Sequence, residues 1–87
     1  MERTALIRSQ EYWLSKIQID LFNEVEKFMK KNELNPTQLE QISGFSRTQI
    51  SQILDGDANL TISELVDLSL ALGLAPHLSF EDLSFVK

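Results

Sequence analysis

The sequence predicts an all-α domain, and three observations carry that prediction. First, the stretch from Gln10 to Asn32 contains no glycine or proline and repeats its apolar residues at helical spacing. Second, Asn35-Pro36, Ser46 and Thr61 are helix-starting residues, each followed by helix-compatible sequence. Third, Gly44, Gly56 and Gly73 stand where the resulting helices should stop or turn.

In the first element, Trp13, Ile17, Leu21, Val25 and Phe28 recur at intervals of four and three, and Tyr12, Ile19, Phe22 and Met29 run beside them. One long helix over 10–32 would therefore carry a wide apolar face. Lys27, Lys30 and Lys31 near its end complement the helix dipole. Pro36 suits a first helical position, where no N–H is needed, so a short helix over 36–43 follows the Asn35 cap and ends at Gly44. Ser46 caps another short helix over 47–54, with Ile50, Ile53 and Leu54 on its inner face. Asp55-Gly56-Asp57 is a turn. Thr61-Ile62-Ser63-Glu64 is a capping box that opens a helix over 62–73. Its apolar positions are Ile62, Leu65, Val66, Leu68, Leu70 and Leu72. Ala75-Pro76 breaks the chain, and Leu78, Phe80 and then Glu81 alternate in the manner of a short strand. The expected organisation is a tail over 1–9, a domain with an extended first helix over 10–74, and a strand or tail over 75–87.

Composition narrows the function classes. A chain of 87 residues with 43% hydrophobic content is one folded domain with a modest core that a partner chain could enlarge. There is no cysteine and a single histidine, His77, so no disulfide, thiolate zinc site, other metal site or cofactor is expected. The same scarcity leaves no nucleophile–base constellation, which argues against an enzyme. His77, Glu81-Asp82 and Asp55-Asp57 read as solvated or structural positions. The sequence shows no secretory signal pattern and no apolar run long enough to span a membrane, so a cytoplasmic protein is expected. The formal net charge is −5. Residues 1–34 hold six basic and six acidic side chains, whereas residues 35–87 hold two basic ones, Arg47 and Lys87, and seven acidic ones.

Two short helices joined by a turn containing glycine have helix-turn-helix spacing. In that geometry the first helix braces the second, whose N-terminal residues meet base edges in the major groove. Here those residues are Arg47, Thr48, Gln49 and Gln52. Arginine suits the acceptor pair of guanine, glutamine suits adenine, and a threonine methyl suits thymine. On spacing alone, an ordinary solvated helix face in a bundle fits the same pattern. Phosphate neutralisation supplies most non-specific DNA affinity, and the acidic second half works against it.

The words Leu39, Ser43-Gly44-Phe45-Ser46-Arg47-Thr48-Gln49-Ile50-Ser51-Gln52-Ile53-Leu54-Asp55-Gly56, Leu65, Leu68 and Ala71-Leu72-Gly73 give residues 34–74 a resemblance to the lambda-repressor-like, XRE-type helix-turn-helix family. The resemblance implies a compact bundle of four or five helices that binds double-stranded DNA as a transcriptional regulator. It implies Arg47, Thr48 and Gln52 as base readers, with Gln49 and Ser46 close to bases or phosphates. The chain departs from the family pattern in places. The usual Thr-Gln at the start of the bracing helix is Asn35-Pro36, so Thr37, Gln38 and the helix N-terminal amides would take the phosphate. A usually small position is Glu40, a carboxylate that must reach solvent or find a partner. Basic residues usual after the reading helix are replaced by Asp57 and Asn59. Phosphate contacts would then fall to Lys27, Lys31, Ser46 and Asn59 besides Thr37 and Gln38.

The flanks extend the picture. The first helix is longer than the family's, and its extra turns carry Tyr12, Trp13, Ile17 and Ile19. That surface could fold back on the domain's own core or serve a partner interface. Pro76-His77-Leu78-Ser79-Phe80-Glu81 resembles the short strand that follows the bundle in some antitoxins of toxin–antitoxin pairs. Tyr12, Trp13, Ile17, Leu78 and Phe80 are thus the candidate dimer or partner surface. Two functions from different classes follow. One is a sequence-specific regulator acting as a homodimer on a palindromic operator. The other is a protein-interaction module, such as an antitoxin that neutralises a toxin protein, with weak or lost DNA affinity.

Overall fold

The computed structural model describes residues 8–83, which form four α-helices: α1 (Gln10–Lys31), α2 (Pro36–Ser43), α3 (Arg47–Leu54) and α4 (Ile62–Ala71). Each start has its own cap. The Ser9 hydroxyl accepts from the Tyr12 amide at the head of α1. Three reciprocal capping boxes open the others: Asn35 with Gln38, Ser46 with Gln49, and Thr61 with Glu64. In each box the cap oxygen takes the N3 amide and the N3 side chain takes the cap amide, so two orphan donors are satisfied.

The turn between α2 and α3 depends on two residues. Gly44 has φ 77°, in the left-handed region, and its N–H donates to Glu40 O at 3.1 Å. Phe45 follows and is buried in the core, which pins the turn to the body of the domain. A Cβ placed on Gly44 would meet no atom within 4 Å, so the glycine is needed for its backbone angle rather than for space. Gly44→Ala should therefore lower stability by about 1 kcal/mol, read by urea denaturation, with the fold retained.

The core comprises Val25, Leu39, Phe45, Ile50, Ile53, Ala58, Leu68 and Leu72, with Leu21, Phe28, Met29, Leu54 and Leu60 packed around it. The second half of α1 packs on α3, α3 packs on α2, and α2 packs on α4. The inner face expected for α3 is the one observed. Of the apolar positions named for this last helix, Leu68 within α4 and Leu72 at its C-cap are buried, while Ile62 and Leu70 are 79% and 63% exposed. A helix of ten residues can turn only one arc toward a core this small, and among the described residues nothing covers the other. The alternating segment after Pro76 forms no strand among the described residues. The expected strand is thereby corrected, because a strand needs a ladder partner and the described residues offer none there.

The tail expected over 1–9 lies largely outside the described residues, as do 84–87 of the C-terminal segment. No helix among the described residues is long and apolar enough to cross a membrane.

Candidate nucleic-acid interface

The α2–turn–α3 unit sets the geometry of the surface. Ile50 and Ile53 anchor α3 inward, at 0% and 1% exposure. The helical repeat then sends Arg47, Thr48, Ser51 and Gln52 outward, and all four are exposed. Thr48 and Gln52 are four apart and share one stripe of α3.

Arg47 is the first residue of α3 and does not float free. Its Nη1 donates to Thr37 Oγ1 at 2.7 Å and lies 4.0 Å from Glu40 Oε2. Thr37 and Glu40 sit three apart on α2, so both face the same side of that helix. The Glu40 carboxylate thus finds a cation and remains partly solvated.

Gln49 is placed differently from its neighbours. Its Oε1 accepts from the Ser46 amide at 3.0 Å and its Nε2 donates to Glu64 Oε2 at 2.8 Å. Glu64 Oε1 also accepts from the Thr61 amide at 2.8 Å. The glutamine therefore closes the cap of α3 and ties it to the cap of α4. Its amide is engaged at both ends and half-buried. Gln38 Oε1 likewise accepts from the Asn35 amide at 2.9 Å, while its Nε2 has no hydrogen bond among the described residues.

Around this centre the exposed polar groups are Ser46, Gln38 and Thr37 on the turn and the α2 start, Asn59 in the α3–α4 loop, and the lysines ending α1. Lys27 pairs with Glu24 at 3.5 Å and Lys30 with Glu26 at 3.3 Å, both in solvent, where such pairs contribute little. Lys31 makes no ion pair among the described residues. Within 35–83 the only basic side chain is Arg47.

The unit from the second half of α1 to beyond α4 also decides what the chain is related to. Residues 24–77 match the family model of the Cro/C1-type HTH DNA-binding domain. The chain belongs to that family. It is an HTH DNA-binding domain, and α2 and α3 are the helix-turn-helix. No curated protein and no solved structure matches the chain.

The first half of α1 lies outside the Cro/C1-type match and outside the core. Ile17 and Ile19 are exposed, whereas Tyr12 and Trp13 are half-buried among the described residues. The Tyr12 and Trp13 rings meet edge to face, with centroids 5.0 Å apart. The Gln18 Nε2 donates to Ala58 O at 2.7 Å, which docks the middle of α1 on the α3–α4 loop. An open groove runs between this face and the C-terminal segment, lined by Trp13, Ile17, Asp20, Leu78, Phe80 and Leu83. Four of the five residues expected at a partner surface thus line one groove; Tyr12 adjoins it through Trp13. The exposed row Ile62, Val66 and Leu70 on α4 was not expected. Its signal was present in the sequence: apolar residues at 62, 65, 66, 68, 70 and 72 are more than one helix face can hold.

Proposed function

We propose that this chain is a sequence-specific transcriptional regulator that reads the major groove with the N-terminal half of α3. The observation that supports it is the exposed triad Arg47, Thr48 and Gln52 on a helix whose opposite face is anchored in the core. In this reading Arg47 takes guanine, Thr48 contacts a base edge or a thymine methyl, and Gln52 reads adenine. Gln49 serves the cap and the tie to α4 in place of a base. Ser46, Thr37, Gln38 and Asn59 hold phosphates together with the free amides of the α2 and α3 starts. Lys27 and Lys31 supply the counter-charge. Retention of a randomised duplex library on the full chain tests this, because a regulator enriches one sequence. Lys31→Ala should weaken binding to all sequences equally and reduce the slope of log K against log salt by about 1.

The regulator acts as a homodimer on a palindromic operator, its two reading helices about 34 Å apart. Tyr12, Trp13, Ile17, Leu78 and Phe80 form the interface with the second copy. The support is the gathering of Trp13, Ile17, Leu78 and Phe80 at one largely apolar groove, with Leu78 and Phe80 at 77% and 87% exposure. The double variant Ile17→Lys, Phe80→Ser should sediment as a monomer with unchanged helicity. A dimer that persists would move the interface to the Ile62–Val66–Leu70 row.

Two observations favour a second reading. The seven acidic side chains of 35–87 and the exposed apolar groove suit a protein partner better than phosphate. In that reading the chain is an interaction module such as a toxin-neutralising antitoxin. Enrichment of no duplex sequence, with capture of the product of an adjacent reading frame, would decide for it.

A further inference from the structure

We propose that Glu40 is a positioning residue for Arg47: with Thr37 it holds one corner of the guanidinium and so sets a guanine preference at one operator position. The inference rests on α3 reading DNA, as proposed above.

The geometry divides the guanidinium in two. Both contacts from α2 converge on Nη1, the Thr37 hydroxyl at 2.7 Å and the Glu40 carboxylate at 4.0 Å. Nε and Nη2 make no hydrogen bond or ion pair among the described residues. Those two atoms form the side-on fork of arginine, which matches the paired O6 and N7 acceptors of guanine. An unrestrained arginine samples many rotamers and must lose that freedom on binding. An arginine held at Nη1 has given up much of it beforehand. The bracing helix therefore supports the α3 backbone and also aims one of its side chains.

The placement of a carboxylate here asks for such an account. Glu40 is an acid on a domain that must approach polyanionic DNA, and its side chain is only 37% exposed. As a solvent-facing charge it would only repel phosphate. Beside Nη1 it keeps the guanidinium in place while leaving the reading edge clear. The Thr37 oxygen accepts from Arg47, and its own O–H is left to donate to a phosphate, so the two roles of Thr37 are compatible.

The two possibilities leave different signatures on binding. The full chain and its Glu40→Gln, Thr37→Val and Arg47→Ala variants are each offered a randomised duplex library at one fixed salt concentration. Affinity for one unrelated duplex is measured in parallel. Wild type should enrich a guanine at one position of each half-site. Glu40→Gln should lose about tenfold of that preference at that position alone, while binding the unrelated duplex more tightly. Thr37→Val should lose preference at the same position, which serves as a second reading should Glu40→Gln fold poorly. Tighter binding to every sequence with the guanine preference intact would overturn the proposal and leave Glu40 a repelling charge. A wild-type chain that enriches no sequence would overturn the reading of α3 itself, and the role of Glu40 with it.

Discussion

Arg47→Ala will lower affinity for the selected operator by about 1–3 kcal/mol, roughly fivefold to beyond a hundredfold, more than the loss that removing one cation causes on an unrelated duplex, while leaving the fold intact. The size follows from what is lost. A bidentate arginine–guanine contact is among the strongest single discriminators available at a base edge. This chain has few others to compensate, since Arg47 is the only basic side chain within 35–83. Folding should be spared because the Arg47 side chain is 56% exposed and its ties to Thr37 and Glu40 lie at the surface. Competition binding at fixed salt against an unrelated duplex measures the effect, and circular dichroism confirms the helices. Operator affinity that survives the change would remove Arg47 from the base-reading set.

The largest effect on stability will come from Ile50→Ala, at about 2–5 kcal/mol. Ile50 is fully buried in the one helix that packs against both α1 and α2. Truncation there removes burial and leaves a cavity, which a small core has little room to close. The whole stability of a domain this size is on the order of 4–13 kcal/mol, so the variant should keep only a fraction of it. Urea denaturation should show a lower midpoint with an unchanged m-value. Operator binding should fall as well, in proportion to the unfolded fraction, and recover at lower temperature. A shift under 1 kcal/mol would mean that α3 is held by its caps and not by the core.

The helix boundaries were legible because their causes are local. Asn35 with Gln38, Ser46 with Gln49 and Thr61 with Glu64 each act over three residues, and Gly44 needs only its own φ. The inner face of α3 was legible for a similar reason, since Ile50 and Ile53 repeat at helical spacing. The state of the reading side chains was not. Gln49 and Arg47 look alike as polar residues on an outer face. Yet Glu64, fifteen residues away, takes the amide of Gln49, and Thr37, ten residues away, takes one corner of Arg47. The strand expected around Leu78 and Phe80 failed for a related reason, because pairing is a property of two segments and only one is present.

Sequence by itself determined the four helices, their caps and the helix-turn-helix spacing, all of which rest on interactions within a few residues. Tertiary structure decided which side chains remain available. Among the described residues it left Ile17 and Ile19 of α1 and the outer row of α4 exposed, because a core of eight buried residues can occupy only one arc of each helix. It also brought α2 and α3 close enough for Thr37 and Glu40 to reach Arg47. The reading helix is thus written in the sequence, and the aim of its arginine is set by the packing.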